Sequence, residues 1–495
     1  MPPITWTTTL GTIVLVIGII LRLLALGVIP GNRKPSTGMA WLLLIMFEPF
    51  SGFALFLLLG RTRLGRIRHK RQREAHAAIA EARASSVEFE PGSVEVRDKV
   101  ATVVHLNRSL ASFPVQPDNA VTLLPDYREC ILAIASEIAA AKDTVDVQFY
   151  ITAWDEMTDP VFQAMSDAAD RGVAVRLLFD HIGSRGIPGY KQMLKKLDQT
   201  KIQWKLMLPI KPMQGRWRRP DLRNHRKLVI IDNLVGFSGS LNLTEPGYNK
   251  PKNHALGREW VELMARLEGP IAADLNAVFA ADWYTETGEL PNLMPFTREV
   301  TENPQTSDAP VTGLKCQLVP SGPGFPSENN LRMFNSLIYS ATRRLSITSP
   351  YFVPDESLLS AVTTAAQRGV DVELFVSEIA DQFMVGHAQA SYYRALLEAG
   401  VKIYQYPAPY ILHSKHFTVD DDIAVLGSSN MDQRSFALNY ETSLMLLGPE
   451  IVTKMREVED NYRSMSPELT LESWLKRPAR LKYVDNIMRL TSAIQ

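Results

Sequence analysis

At 495 residues, with 53 basic and 53 acidic side chains and no formal net charge, the chain is too long for one ordinary core, and nothing in its overall charge points to nucleic acid as a partner. Apolar residues at 46% and charged residues at 21% match a soluble globular average, yet the apolar residues crowd one end. Cys130 and Cys316, the only cysteines, exclude a disulfide framework and a structural zinc cluster and fit a reducing compartment.

Residues 10–30 are apolar throughout except for Arg22, and residues 39–60 form a second apolar run broken only by Glu48, Pro49 and small residues. Each run is about 20 residues, enough at about 1.5 Å per residue to cross a hydrocarbon layer of about 30 Å. Residues 1–62 are therefore expected to hold two transmembrane helices. The start of the chain has no basic residue and no clear cleavage pattern, which argues against a removed signal peptide. Arg22 and Glu48 are expected to pair or to reach the interface, with no functional role assigned.

The run RTRLGRIRHKRQR follows, with Arg61, Arg63, Arg66, Arg68, Lys70, Arg71 and Arg73, whereas the connector between the apolar runs offers only Arg33 and Lys34. This positive-inside bias places both chain ends, and everything downstream, on the cytoplasmic side. The same charges attract anionic headgroups, at about 1 kcal/mol per residue near the surface. Residues 63–119 read as a basic linker and connecting segment, with a helix near 74–84 and no clear role for 85–119.

Downstream the chain repeats. AADRGVAVRLLFD (168–180) resembles AAQRGVDVELFVS (365–377), each a helix ending at Arg-Gly before an apolar strand. Helical patterns alternating with buried-looking strands predict an α/β fold of two similar lobes, 120–300 and 310–495, each a mixed sheet flanked by helices. A last helix in 464–495 is expected to pack on the second lobe.

One motif recurs in both halves, H-x-K-x4-D-x6-G-S-x-N. The first copy places His225, Lys227, Asp232, Gly239, Ser240 and Asn242; the second places His413, Lys415, Asp420, Gly427, Ser428 and Asn430. Alternation puts each His and Lys on one face and the residue between them on the other. Two lysines, two amides and two hydroxyls suit the oxygens of a phosphodiester and the charge added on attack. One neutral imidazole can attack phosphorus while the other, protonated, donates to the leaving alcohol. A lone copy would be weak; two full copies in matched repeats leave little room for chance. Asp232 and Asp420 either hold the motif loop or contact substrate.

The paired motifs resemble those of the phospholipase D superfamily. That resemblance implies two facing lobes around one pseudo-twofold active site, a phosphohistidine intermediate, and neither metal nor cofactor. It also implies phosphate binding by the motif serines and asparagines, and an acidic residue orienting each histidine. Glu262 and Glu441 are the candidates, each seven residues before a Gly-Pro pair, with Glu259 the rival in the first lobe.

Within the superfamily the bacterial cardiolipin synthases are similar over nearly the whole chain. The similarity lies in the two apolar runs and basic linker, RNHRK, SPYFVPD (349–355) and NMDQRSFALNYE (430–441), in which Arg434 is a candidate for phosphate binding or its support. It implies a membrane enzyme that joins two phosphatidylglycerol molecules into cardiolipin and glycerol, with other anionic phospholipids and the bilayer as partners and no nucleic acid. Phosphatidylethanolamine as co-substrate, hydrolysis to phosphatidic acid, nuclease action and a non-enzymatic adaptor are the alternatives. His225 is slightly favoured as the nucleophile.

Arg216, Arg218, Arg219, Arg223 and Arg226 read either as a funnel for an anionic headgroup or as solvated loop charges. Residues 207–213, with Trp217, suit either the membrane interface or a core. His181, His387 and His416 read as structural. Oligomeric state is not legible.

Overall fold

The computed structural model describes residues 6–31, 35–60, 66–84, 98–210, 219–291, 309–325 and 328–492. Contacts divide the chain into two units, Met1–Leu64 and Gly65–Gln495.

In the first unit, Trp6–Val28 is one helix of 23 residues, about 34 Å long and so able to cross a bilayer by length and composition. The second apolar run is divided into Pro35–Phe47 and Pro49–Leu59, about 20 and 17 Å, where the sequence predicts one continuous span. Pro49 is the cause, since it has no N–H to continue the ladder and its ring crowds the preceding turn. Gly52 then approaches the first of these short helices so closely that a β-carbon would lie 3.0 Å from the Leu44 carbonyl oxygen. Arg22 does not pair with Glu48; its Nε donates to the Met46 carbonyl at 3.0 Å, beside the break. Arg33, Lys34, Arg61 and Arg63 lie outside the described residues.

The second unit is built on one sheet. The strands of its first half are β1 (Val115–Leu124), β2 (Thr144–Phe149), β3 (Ala174–Asp180), β4 (Gln203–Met207), β5 (Leu228–Ile231), β6 (Val235–Gly239), β7 (Trp260–Val261) and β8 (Met264–Glu268). Those of the second are β9 (Val311–Ser321), β10 (Arg344–Thr348), β11 (Phe352–Val353), β12 (Asp371–Ser377), β13 (Lys402–Tyr406), β14 (Ile411–Leu412) and β15 (His416–Val419). The rest of that half are β16 (Ile423–Gly427), β17 (Met431–Asp432), β18 (Glu441–Leu447) and β19 (Glu468–Leu469).

The order across the large sheet is β4-β3-β2-β5-β6-β8-β1-β9-β18-β16-β15-β10-β12-β13-β19. It reads nearly the same from both ends, with the antiparallel pair β1 and β9 at the centre. The halves are thus related by a pseudo-twofold through that pair, and β19 is an addition at one edge.

Each half has its own apolar core, one around Ile134, Phe162 and Val229 and the other around Leu337, Val362 and Phe417. The repeated Arg-Gly signal ends equivalent helices, Asp159–Asp170 and Glu356–Gln367. In both, the residue after Gly172 or Gly369 bonds back to Ala168 or Ala365, so the same C-terminal cap delivers the chain into β3 or β12. The linking segment gains a role: Asp98–Ala111 is a helix that places Val100 and Val103 in the second core. The terminal helix Ala479–Arg489 returns to the second half, where Asp485 pairs with His387 at 2.7 Å.

Candidate active site

The two motif copies occupy equivalent positions just before β5 and β15. His225, Lys227, His413 and Lys415 are all buried, and they lie close enough that His225 feels the charges of Lys227, Lys415 and His413. Arg226, between His225 and Lys227, turns to the opposite face and pairs with Asp282, as strand-like alternation requires.

The halves exchange their glutamates. His225 Nδ1 is 3.0 Å from Glu441 Oε2, and His413 Nδ1 is 2.7 Å from Glu262 Oε1. Backbone pairing across the halves sets this up. β7 runs parallel to β14, with His413 N donating to Val261 O at 2.8 Å. In the symmetric position His225 N donates to Tyr440 O at 2.9 Å. Glu259, the rival candidate, contributes its carbonyl to Ile411 N, and its side chain is exposed.

The motif glycines permit a further close approach. A β-carbon on Gly239 would lie 2.3 Å from Leu263 O, and one on Gly427 2.2 Å from Thr442 O. Leu263 follows Glu262 between β7 and β8, and Thr442 follows Glu441 in β18, so the glycines let each motif turn lie against the segment that carries a glutamate. The serines hydrogen-bond to these glutamate-bearing segments. Ser428 Oγ donates to Glu441 Oε2 at 2.5 Å, and Ser240 Oγ accepts from Leu263 N at 2.9 Å. Asn242 is held by Ile151 N and Tyr248, whereas the buried Asn430 Oδ1 has no partner among the described residues.

Asp232 and Asp420 stand apart from this cluster, a correction to their grouping with the catalytic residues. Each sits at the far end of its motif strand in a left-handed turn, at φ 50° and 52°. Asp232 accepts the backbone N–H groups of Lys142, Asp143 and Thr144 at 2.7–2.8 Å. Asp420 does the same for Thr342, Arg343 and Arg344. They fasten the motif loop to the strand beside it.

The arginine funnel does not form among the described residues. Arg223 is buried against Asp180, Arg226 against Asp282, and Arg219 pairs with Asp221. Arg216, Trp217, Arg218 and residues 211–213 lie outside the described residues. Arg434 crosses from the second half to donate to Asp221 O at 2.9 Å, so it steadies the segment leading to His225.

Two residues missed in the sequence complete the surroundings. The Tyr150 ring meets His225 edge-on at 5.0 Å and lies 5.6 Å from Lys227 Nζ. Tyr351 stands in the same relation to His413 at 6.4 Å. Both follow the first repeated strand of their half, in QFYI and SPYF, and that shared position was the available signal.

Electrostatically the site awaits an anion. Burial, reinforced by the other lysine, pushes Lys227 down to about 7, and burial pushes Lys415 down to about 8 despite the nearby glutamates. Each ammonium meanwhile donates to the carbonyl of its own histidine, at 2.6 and 2.5 Å. Burial raises Glu441 to about 7, whereas His413 and Lys415 outweigh burial at Glu262 and hold it below the usual carboxylate value. Burial and the surrounding cations push His225 well below its ordinary value. Its Nδ1 faces two acceptors, Ser428 O at 2.9 Å and Glu441, so the proton sits there and the Nε2 lone pair is left free.

A profile of the family described as "Cardiolipin synthase, PLD-like domain" matches residues 134–283 and 334–462, one stretch in each half. Cardiolipin synthase A of Yersinia pseudotuberculosis serotype IB (strain PB1/+) is 34% identical over 485 residues, 96% of this chain and 95% of that one. Cardiolipin synthase A of Yersinia pestis matches to the same extent. The crystal structure of phosphatidylserine synthase from Haemophilus influenzae Rd KW20 superposes with a TM-score of 0.59 at 16% identity. It covers 81% of this chain and 100% of that one, a likeness of fold. With the repeated motif, the palindromic sheet and these matches in hand, the chain belongs to the phospholipase D superfamily, in the family of cardiolipin synthase, PLD-like proteins.

Proposed function

We propose that the chain is a cardiolipin synthase, a phosphatidyltransferase that joins two phosphatidylglycerol molecules and releases glycerol. The observation that carries this reading is the pair of histidines in one buried cluster, each oriented by the glutamate of the opposite half and flanked by a buried lysine. The near full-length likeness to proteins named cardiolipin synthase A supports the substrate class.

In the first step His225 Nε2 attacks the phosphorus of one phosphatidylglycerol. The bond from phosphorus to the headgroup oxygen breaks, and protonated His413 gives that oxygen its proton. Glycerol leaves, and the phosphatidyl group stays on His225. In the second step His413 takes a proton from the terminal hydroxyl of another phosphatidylglycerol, whose oxygen attacks the same phosphorus. The phosphorus–nitrogen bond breaks, giving cardiolipin and neutral His225. The lysines and the Asn430 amide group bind the non-bridging oxygens. The asymmetry of the glutamates supports these assignments: ionised Glu262 favours the imidazolium of His413, while Glu441 near 7 leaves His225 neutral.

The basic run after the apolar helices supports a cell-membrane protein with its catalytic unit on the cytoplasmic side. A two-crossing arrangement requires both halves of the divided second run to span together.

The test is lipid mass spectrometry on purified protein incubated with phosphatidylglycerol, beside His225→Ala and His413→Ala. Cardiolipin and glycerol from the wild type alone are expected. Phosphatidic acid alone would make the chain a hydrolase, and cardiolipin formed only when phosphatidylethanolamine is added would change the second substrate.

A further inference from the structure

Beside the catalytic residues lies a small apolar cluster drawn from both halves: Ala153, Ile187, Tyr248, Trp260 and Ile411, with Ile151 and Ile379 packed on it. It is continuous with the site through two short steps of chain. Trp260 is two residues from Glu262, and Ile411 two residues from His413. Four connecting loops, which take in the short helix His181–Arg185 and the first residue of the helix Phe383–Glu398, meet here, and each exposes a large apolar side chain near its anchor. Ile182 is 37% exposed, Leu256 49%, Phe383 68% and Tyr410 42%.

These loops are attached to the histidines symmetrically. Gly183, next to Ile182, packs so closely on Tyr150 that a β-carbon would lie 2.6 Å from the ring, and Tyr150 touches His225. Gln382, next to Phe383, donates to Tyr351 OH at 3.1 Å, and Tyr351 touches His413. The other two loops meet at the seam, where Pro409 lies 3.7 Å from where a β-carbon on Gly257 would be. Exposed apolar residues scattered singly are ordinary, but one on each of four loops joined at a site is not scatter.

We propose that these four loops form a membrane-docking rim, in which Ile182, Leu256, Phe383 and Tyr410 enter the interfacial layer of a phospholipid bilayer and hold the catalytic cluster against the headgroups. This rests on the reading of the substrate as a membrane lipid. A bilayer is the occupant that fits, because the rim comes from both halves around one site, and a protein seated there would shut that site off. The reacting phosphate of a lipid also lies at headgroup depth. Arg185, Lys250 and Lys252 are exposed on the same segments and can meet headgroup phosphates, beside the exposed Glu259 and Glu378, so the apolar side chains carry the argument, and tyrosine at the edge suits the interfacial layer.

The test uses the full-length protein in vesicles of phosphatidylglycerol and phosphatidylethanolamine. Cys130 and Cys316 are buried, so a thiol-reactive, polarity-sensitive dye goes to an introduced cysteine. Phe383→Cys and Leu256→Cys are compared with Lys201→Cys, at the opposite end of β4. The dye at 383 and 256 is expected to shift to the blue and to be quenched by spin-labelled lipid, with neither effect at 201. Equal, water-like emission at all three sites would overturn the rim. As a kinetic arm, Phe383→Ser with Leu256→Ser is expected to raise the apparent KM for bilayer phosphatidylglycerol about tenfold. The loss is expected to be absent with a short-chain phosphatidylglycerol dispersed as monomers; an equal loss on both substrates would count against docking. If the wild type turns over neither lipid, the transferase reading fails, and the dye measurement still decides the rim.

Discussion

His413 Nδ1 and Glu262 Oε1 lie 2.7 Å apart across the boundary between the two halves, and the mirror contact joins His225 to Glu441 at 3.0 Å. Each histidine therefore takes its carboxylate partner from the opposite half. The two contacts are alike in geometry but not in charge, and that difference can be measured.

Glu262→Gln is expected to cost about 100-fold in kcat, the low end for a general acid. Burial already holds His413 below its ordinary value, and Glu262 is the chief influence raising it. Without that carboxylate the value falls further, so the proton needed by the leaving alcohol is lost at lower pH. The alkaline limb of the pH profile for cardiolipin formation should move to lower pH. Glu441→Gln, replacing a carboxyl raised to about 7, should cost less and leave that limb in place. Equal losses from the two variants would remove the proposed division of labour.

If His225 is the nucleophile, the phosphatidyl adduct belongs on it. Rapid quenching in base, which preserves phosphohistidine, followed by peptide mass spectrometry should find the adduct at His225 and not at His413. An adduct on His413 would reverse the assignment.

Anion binding should follow the lysines. Burial pushes Lys227 down to about 7 and Lys415 down to about 8, and only the ammonium forms attract an anion. Sulfate keeps the same charge through this range, so its affinity should fall as pH rises from about 6 to 9. The rise in Tm at fixed sulfate would report it. Lys227→Met should abolish most of that rise; an undiminished, pH-independent rise would place the sulfate elsewhere.

Much of this was legible because it is local or repeated. The Arg-Gly helix ends, the motif strands and the two lobes all announce themselves within about 20 residues of sequence. The glutamates were also found, as Glu262 and Glu441, but not their exchange between halves. That exchange depends on β7 meeting β14 and on Asn224 meeting Tyr440, pairings more than 140 residues apart in sequence. The serines' contacts were not legible for a related reason: hydroxyls beside a histidine suit phosphate, and only the packing shows that Ser428 also meets Glu441 and Ser240 the Leu263 backbone. Pro49 was visible, yet composition alone suggested that an apolar run would continue through it.

The motif aspartates give a stability prediction instead of a catalytic one. Asp232→Ala leaves three backbone N–H groups without their acceptor and should cost about 2–3 kcal/mol. Its folded fraction should retain most of the wild-type kcat. Asp420 is held below its ordinary value: burial opposes ionisation, but Thr342 and the Arg343 and Arg344 N–H groups outweigh it. Its contribution is therefore full above the ordinary carboxylate value and is lost as pH falls through the lower, folded value. The Tm gap between wild type and Asp420→Asn should close in acid. A kcat loss in Asp232→Ala as severe as in Lys227→Met would return the aspartates to the chemistry.

Arg68 gives the least expected prediction, because its basic run reads as a topology signal. It is only 2% exposed, on the helix Arg66–Ala84, and pairs with Glu286, whose side chain is 9% exposed. Its guanidinium and that of Arg226 each lie 5.4 Å from the centre of the Tyr440 ring. Tyr440 in turn receives the His225 N–H and precedes Glu441, while Glu286 also accepts Leu208 N at 2.9 Å. Arg68→Met strands a largely buried carboxylate and should cost about 3–5 kcal/mol along with activity. Arg68→Met with Glu286→Leu removes both charges, and such replacements are often neutral, so Tm should recover. If kcat stays low after that recovery, Arg68 positions the His225 half of the site; if kcat returns with Tm, Arg68 only holds the helix in place.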